Sequence, residues 1–300
     1  MKYLKWLDKN TTSLSGKTVA ISGSTGGLGK HLCRYLAYLG ADIILMDRNL
    51  EKSRANREAL IREFPSVNVS LLTLDLVDIN SVKDATDRLK ELSPDILVHN
   101  AGAYSIPRCT SNSGYDNVFT INFVSPYYMI RELLPTLRAK SGRVVIVGSI
   151  AHNYSKINED DVDFSNVKKA SKVYGNAKRY LMFSSYELFR SEAEASLSIT
   201  HPGITFTNIT AHYPKVIFAL IKHPMKVVFM SAKKAALSIV KGFFESTPYH
   251  TWYGPRLFNV WGLPNKKKLR TCSEKESARI GELADQIYVS VKEKLETAVI

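Results

Sequence analysis

The sequence predicts an α/β protein built on a doubly wound parallel sheet of about seven strands, with helices on both faces. Three observations support this prediction. Short apolar runs alternate with amphipathic stretches of helix length, a glycine-rich turn joins the first run to the first helix, and polar residues follow most runs. Alternating strands and helices give parallel sheets covered on both faces, because each helical crossover packs back onto the sheet.

The individual elements follow from apolar periodicity and from helix-breaking residues. Strands are predicted at 19–21, 42–46, 67–74, 95–99, 143–147, 196–200 and 250–253. Helices are predicted at 30–39, 49–64, 81–92, 114–140, 173–193 and 232–244. Pro65 and Pro94 end two of these helices, and Pro126 is expected to distort a third. Residues 150–170 are polar and acidic, which indicates a loop insertion.

Size and composition indicate one globular domain over residues 1–300. The chain is 45% hydrophobic and 23% charged, with neither an internal repeat nor a domain linker. Its three cysteines are widely spaced, so we expect neither a disulfide framework nor a metal site. A reducing compartment fits this pattern, and the cytoplasm is the expected location.

The formal net charge of +13 suits an anionic cofactor, an acidic substrate or an anionic membrane surface. Basic runs are short, as at 266–268, so we expect no nucleic-acid partner. Apolar segments fall short of about 18 residues, so no transmembrane helix is expected. Residues 1–8 have an amphipathic pattern, so a peripheral membrane contact is an alternative to packing against the body of the protein.

Two regions after the sixth strand carry separate expectations. Residues 204–232 hold apolar clusters and follow that strand directly, so we expect this segment to cover a bound substrate. Residues 255–300 are expected to form a helical extension, because Ser273 and Glu276 resemble a capping box ahead of an amphipathic pattern. This helix is expected to dock on the body or on another subunit.

The first strand leads into a turn that contains Gly23, Gly27 and Gly29, with Ser24, Thr25 and Leu28 between them. A helix N-terminus presents free backbone N–H groups and a partial positive charge, and glycines let a diphosphate approach the backbone. The strand, turn and helix therefore predict a dinucleotide site.

The end of the second strand bears on which dinucleotide binds. Asp47 lies 18 residues beyond Gly29, where a carboxylate can accept a hydrogen bond from a ribose 2′-hydroxyl and repel a 2′-phosphate. This favours NAD(H). The neighbouring Arg48 could instead hold the phosphate of NADP(H), and Asp47 could simply cap the following helix. NAD(H) is the preferred prediction and NADP(H) the alternative.

Tyr174 and Lys178 are four residues apart at the start of a predicted helix, so they share one face. An ammonium beside a phenol is expected to lower the pKa of the tyrosine, which would let it act as a general acid or base. Ser149, at the end of the preceding strand, is expected to lie nearby, since carboxyl ends of parallel strands meet at one edge.

At this point the chain resembles the short-chain dehydrogenase/reductase family, whose Rossmann-type fold matches the predicted sheet. Over about residues 16–254 the resemblance rests on motifs in order: the turn at 22–29, Asp75-Leu76, Asn100-Ala101-Gly102, Asn122, Ser149, Tyr174, Lys178, and Pro202-Gly203-Ile204 with Thr207. It implies that the turn, Asp47, Arg48 and the motifs at 75–76, 100–102 and 202–207 bind the cofactor together with Tyr174 and Lys178.

The same resemblance implies catalytic roles. Ser149 would hydrogen-bond the substrate oxygen, Tyr174 would transfer the proton, Lys178 would bind the nicotinamide ribose, and Asn122 would hold a relay water. Ser149 and Tyr174 are 25 positions apart, a long spacing that is similar to the retinol-dehydrogenase-like branch. This implies a lipophilic alcohol or ketone as substrate, such as a steroid, bile acid or retinoid. The family resemblance itself implies a homodimer or homotetramer, although the C-terminal extension could block the usual interface.

Two other classes of protein are compatible with these motifs or with this fold. An NADPH-dependent carbonyl or acyl-thioester reductase would carry the same motifs. A non-catalytic member that senses the cofactor or binds a partner would usually have lost Ser149, Tyr174 or Lys178, and all three are present.

Overall fold

A single twisted sheet organises the protein. The computed structural model describes residues 2–204 and 230–297, and within these ranges eight strands form one sheet in the order β3-β2-β1-β4-β5-β6-β7-β8. The strands are β1 (Thr18–Ser22), β2 (Asp42–Asp47), β3 (Val69–Thr73), β4 (Ile96–His99), β5 (Arg143–Val147), β6 (Ser196–Thr200), β7 (Thr251–Leu257) and β8 (Trp261–Lys268). The first seven strands are parallel, which confirms the doubly wound sheet.

Helices cover both faces of this sheet. They are α1 (Lys2–Asn10), α2 (Gly27–Tyr38), α3 (Leu50–Glu63), α4 (Ile79–Leu92), α5 (Asn117–Phe119), α6 (Ser125–Arg138), α7 (Ala170–Leu188), α8 (Ala232–Phe244) and α9 (Glu274–Thr297). A π-helical turn (Thr120–Val124) joins α5 to α6, and a short 3₁₀ helix (Ile150–Tyr154) follows β5. Asn49, not Asp47, caps α3 through the backbone N–H of Lys52.

Side-chain alternation along the strands creates two cores. Val19 and Ile21 of β1 point into a core shared with α1, α2, α3 and α8, whereas Ala20 points into a core shared with α4, α6, α7 and α9. Successive residues of a strand face opposite sides, so a strand covered on both faces must be apolar throughout. This explains the continuous apolar runs of the sequence.

Three expectations about elements need correction. The sheet has an eighth strand, β8, which pairs antiparallel with β7, so the expected helical extension at 255–300 begins with a strand and becomes helical only at Glu274. The helix α7 spans 170–188 and not 173–193. The lysine-rich sequence of β8 hid this strand, because lysine has a low strand propensity and β8 is stabilised by pairing with β7.

Other expectations are confirmed or lie outside the described residues. Pro126, which lacks a backbone N–H, sits in the first turn of α6 directly after the π-helical turn, so the predicted distortion is present. Most of the substrate-covering segment expected at 204–232, and Thr207 with it, falls outside the described ranges. No helix between residues 2 and 204 or 230 and 297 is long and apolar enough to cross a membrane.

Candidate active site

The glycine turn connects β1 to α2 at the carboxyl edge of the sheet. Gly23 donates its backbone N–H to the carbonyl of Met46 (3.0 Å). Asn100 anchors the same turn, since its Nδ2 donates to the carbonyls of Ser22 and Gly23 (3.0 Å each). Gly29 packs so closely that a Cβ there would lie 2.1 Å from the carbonyl oxygen of Gly23. The turn therefore tolerates no side chain at 29.

The start of α2 has the properties of an anion site. Gly26 occupies the N-cap position and no side chain caps the helix there. The first backbone N–H groups of a helix need partners and carry a partial positive charge. Beside them, Gly102 faces the Nζ of Lys178, 3.6 Å from the position a Cβ would take. This arrangement fits a nucleotide diphosphate and its ribose.

Asp47 is buried and already accepts several hydrogen bonds. Its Oδ2 accepts from the hydroxyls of Ser24 and Ser53, whereas its Oδ1 has only long contacts of 3.3 Å from the backbone and hydroxyl of Thr25. A carboxylate has about four acceptor sites. Oδ1 therefore keeps capacity for a further donor, and Ser24 and Ser53 fix its orientation.

Two more predicted cofactor residues follow β2 and β3. Arg48 is exposed and its guanidinium lies 4.0 Å from the carboxylate of Asp75. Asp75 also accepts the backbone N–H of Val77 (3.2 Å), and the carbonyl of Leu76 accepts the hydroxyl of Ser125 (2.7 Å). Asp75 thus stabilises its own turn, while Leu76 ties that turn to α6.

Ser149, Tyr174 and Lys178 converge at the same edge. Ser149 lies two residues after β5, at the N-cap of the 3₁₀ helix, and its hydroxyl accepts the backbone N–H of Ala151 (3.2 Å). Lys178 is buried and donates to the carbonyl of Val147 (3.1 Å), with its Nζ 5.7 Å from the ring centre of Tyr174. A second ring, Tyr104, packs edge-on against Tyr174 at 5.4 Å. The three predicted catalytic groups therefore form one cluster.

The expected lowering of the Tyr174 pKa is wrong for this structure. Burial raises the pKa of Tyr174 to about 12, a hydrogen bond with Ser149 acts in the opposite direction, and Tyr104 adds to the rise. Burial also lowers the pKa of Lys178 to about 8. Desolvation disfavours the charged form of each group. The sequence pattern could not show how deeply this pair is buried.

Burying Lys178 has a cost in stability that can be measured. A fall of its pKa from 10.5 to about 8 corresponds to about 3 kcal/mol of destabilisation below pH 8. We expect Lys178→Met to raise the free energy of unfolding by about 2–3 kcal/mol at pH 7. The native lysine loses its proton above pH 8, so this gain should shrink between pH 8 and 10.5.

Denaturant titrations of both proteins across pH 6–11 would measure this effect. Lys172→Met, at an exposed position of the same helix, is the matched control and should leave unfolding unchanged. A Lys178→Met protein that is no more stable than the parent at pH 7 would contradict the burial of this charge.

Asn122 lies in the π-helical turn and is fully buried. Its Nδ2 donates to the carbonyls of Ala103 and Val118 (2.8 Å each). Its Oδ1 is buried and has no hydrogen-bond partner among the described residues. The side chain thus ties the turn to the segment after Gly102, and it leaves an acceptor available near Lys178.

A buried arginine, which no sequence pattern indicated, ties the loop after β5 to the C-terminal segment. Arg179 is 2% exposed, and its guanidinium donates to Glu276 (2.7 Å) and to the carbonyls of His152 (3.2 Å) and Thr271 (2.7 Å). His152 Nδ1 lies 2.5 Å from the carbonyl oxygen of Ser149, and its Nε2 2.8 Å from the hydroxyl of Thr271. These five residues form what we call the Arg179 network.

One sequence signal pointed towards this network. The α7 helix packs so closely on the 3₁₀ helix that a Cβ at Gly175 would lie 2.3 Å from the carbonyl oxygen of Ala151. Gly175 follows Tyr174 directly, and a glycine inside a helix usually marks close packing. The pairing of Arg179 with Glu276, 97 positions away, had no local signal.

The remaining predicted residues lie at the end of β6. The strand leads into His201, whose backbone N–H donates to the carbonyl of Tyr253 (2.6 Å), and then into Pro202 and Gly203. The carbonyl of Ile204 accepts the backbone N–H of Met230 (3.0 Å). The fold and site together define a nucleotide-dependent oxidoreductase.

Comparisons with known proteins support the assignment as a nucleotide-dependent oxidoreductase. The short chain dehydrogenase family profile matches residues 17–160. An uncharacterized oxidoreductase of Schizosaccharomyces pombe is 31% identical over 233 residues, covering 73% of this chain and 69% of that protein. Human retinol dehydrogenase 13 is 29% identical over 206 residues, covering 67% and 62%. A crystal structure of an uncharacterized protein from Mycobacterium paratuberculosis has a TM-score of 0.74 at 24% identity, covering 92% and 95%.

This chain belongs to the short-chain dehydrogenase/reductase family. Its similarity to retinol dehydrogenases confirms the branch that the Ser149–Tyr174 spacing indicated. It is an NAD(P)-dependent oxidoreductase.

Proposed function

We propose that this protein interconverts a secondary alcohol and a ketone on a hydrophobic substrate, with NAD(H) as cofactor. The observation that carries the proposal is the cluster of Ser149, Tyr174 and Lys178 at the carboxyl edge of the sheet, beside an uncapped helix N-terminus. Ligands of open parallel sheets bind at this edge.

The side chains of the cluster have distinct proposed roles. The hydroxyl of Ser149 orients the substrate oxygen, and the phenol of Tyr174 exchanges a proton with it. Lys178 binds the nicotinamide ribose and stabilises negative charge on the phenol oxygen. The bound cofactor supplies or accepts the hydride. Asn122, with its free Oδ1 and its place beside Gly102, would hold a water of the proton relay.

The raised pKa of Tyr174 bears on direction. A phenol with a pKa of about 12 is protonated at neutral pH, so it can donate a proton to a ketone oxygen. Alcohol oxidation instead needs the phenolate, and its rate should rise with pH. We therefore propose that oxidation is the direction whose rate rises more steeply with pH.

The substrate class is tested with a panel of compounds. Steroid, bile-acid, retinoid and short polar alcohols and ketones are offered with both nucleotides, while absorbance of the reduced cofactor is followed. Preference for the large apolar members supports the proposal, and preference for short polar ones would overturn it. The alternative is an NADPH-dependent carbonyl or acyl-thioester reductase, which the same panel detects.

The cofactor choice rests on Asp47. Its carboxylate, oriented by Ser24 and Ser53, disfavours a 2′-phosphate, and Oδ1 keeps acceptor capacity for a ribose hydroxyl. The exposed Arg48 supports NADP(H) as the second candidate.

An Asp47→Asn substitution separates these candidates, because it removes the charge and keeps the shape. We expect the ratio of kcat/KM for NAD(H) over NADP(H) to fall about tenfold, equivalent to about 1.4 kcal/mol. Asp42→Asn, at the other end of β2, is the control. The proposal would be contradicted if the parent protein preferred NADP(H) and the Asp47→Asn substitution left the ratio of kcat/KM for the two cofactors unchanged. The selectivity would then be assigned to Arg48.

Three further expectations remain proposals. We propose that residues 1–300 act as one catalytic domain, that 204–232 covers the substrate, and that the chain forms a dimer or tetramer. The cytoplasmic location likewise stays a prediction.

A further inference from the structure

The last two strands form a hairpin, residues 251–268, at the end of the sheet. We call it the β7–β8 hairpin. Its turn consists of Phe258 and Asn259, closed by a hydrogen bond from the Val260 backbone N–H to the carbonyl of Leu257 (2.9 Å). Both turn residues have positive φ, 51° and 58°. Two central residues with positive φ are typical of a type I′ turn, in which Asn-Gly is the preferred pair. A phenylalanine in the left-handed region is therefore strained.

This strained turn exposes apolar side chains. Phe258 is 90% exposed, and Leu257, Leu263 and Trp261 are 55%, 46% and 37% exposed. Leu257 pairs with Trp261 across the hairpin, and Leu263 lies two residues further on the same face of β8. Half of the exposed large hydrophobic residues in the described parts of the chain therefore lie within seven positions of one another.

The hairpin and the residues that follow it carry only basic charges, although Glu245 of α8 accepts a hydrogen bond from the hydroxyl of Tyr253. Residues 246–273 contain no aspartate or glutamate and five basic residues: Arg256, Lys266, Lys267, Lys268 and Arg270. All of these except Lys267 are exposed. From α8, Lys234 adds a further ammonium 4.9 Å from the ring centre of Trp261. Arg256 and Lys234 lie near the tip, whereas Lys266, Lys267 and Lys268 pair with residues 251–253 at the far end of the hairpin. An apolar tip that continues into a basic stretch is complementary to an anionic bilayer, where rings enter the interface and lysines meet lipid headgroups.

We propose that the β7–β8 hairpin docks the protein on an anionic lipid bilayer. Phe258 is 90% exposed and so contributes little to packing, whereas insertion into an interface would remove its ring from water. The cations along the hairpin attract phosphatidylserine-type headgroups and keep the hairpin at the interface.

The docked bilayer would lie next to the active-site edge. β7 runs parallel to β6, so its tip projects from the same edge as Ser149. The hairpin also contacts the segment after β6, because a Cβ at Gly203 would lie 2.8 Å from both Pro255 and the carbonyl oxygen of Val260. Supply of a membrane-dissolved substrate by this route rests on the proposed function, but lipid binding itself does not.

A second copy of the chain is the competing occupant, since β8 is an edge strand. Edge pairing is opposed by the lysines and by Pro264, which lacks a backbone N–H. The hairpin thus carries features that oppose strand addition, and its most exposed apolar residue, Phe258, lies in the turn, where strand pairing would not cover it.

Flotation with vesicles tests the proposal on the full chain. The protein is mixed with vesicles of phosphatidylcholine alone or of phosphatidylcholine with phosphatidylserine. We expect binding to the mixed vesicles that falls with salt, and weak binding to phosphatidylcholine alone. Phe258→Ser should lower the vesicle partition coefficient about tenfold. Val289→Ser, at an exposed apolar position of α9, should leave it unchanged.

A charge variant and a measurement of association complete the test. Lys266→Glu with Lys268→Glu should reduce binding to the mixed vesicles, whereas Lys52→Glu with Arg54→Glu on α3 should not. Circular dichroism checks folding, and oxidoreductase activity on a water-soluble substrate should be equal in parent and variants, which separates this test from that of the function. Absence of binding by the parent, equal binding by Phe258→Ser, or loss of self-association in Phe258→Ser with vesicle binding unchanged would overturn the proposal.

Discussion

Replacing Tyr174 by phenylalanine should lower kcat about 10²- to 10⁴-fold and leave cofactor binding intact. The phenol hydroxyl is the proposed proton donor, and the phenylalanine ring fills the same space against Tyr104. Lys178 keeps its hydrogen bond to Val147 in the variant, so the proposed ribose site is preserved. Steady-state kinetics and a titration of cofactor fluorescence measure the two quantities.

Tyr180→Phe is the matched control for this experiment. Tyr180 lies on the same helix and is fully buried, and its hydroxyl has no hydrogen-bond partner among the described residues. Its loss should leave turnover unchanged, because removing an unpaired buried hydroxyl costs little. If Tyr174→Phe kept near-normal turnover, Tyr174 would not be the proton donor.

Breaking the Arg179 network should give the largest loss of stability. We expect Glu276→Ala to lower the free energy of unfolding by about 3 kcal/mol, because it leaves a guanidinium that is 2% exposed without its counter-charge. The same variant should lower kcat about tenfold, since Arg179 and His152 hold the turn that carries Ser149. Urea titration and steady-state kinetics check both effects.

Glu274→Ala provides the control two positions away. Glu274 pairs with Arg190 at the surface (3.2 Å), where solvent screens the pair, so neither unfolding nor turnover should change measurably. Glu276→Gln adds a readout of position: it keeps a hydrogen-bond acceptor, and partial recovery of kcat is expected. Equal stability of Glu276→Ala and the parent would show that Arg179 does not depend on this pair.

Local patterns were sufficient for most of the sheet and for the family motifs. The glycine turn, the apolar strand runs and the Tyr174–Lys178 spacing are each set by neighbouring residues, so they could be read directly from the chain. The strand β8 was missed because three of its eight residues are lysines and its stability comes from β7, which no local pattern encodes.

By itself, the sequence determined the order of strands and helices, the polar residues at strand ends and the family, because backbone propensity and side-chain periodicity act over a few residues. Only the tertiary structure decided how deeply Tyr174 and Lys178 are buried, and burial raises one pKa and lowers the other. The tertiary structure also decided that Arg179 pairs with Glu276 and that the Phe258 side chain is exposed to solvent. Desolvation and long-range contacts depend on which parts of the fold pack around a residue.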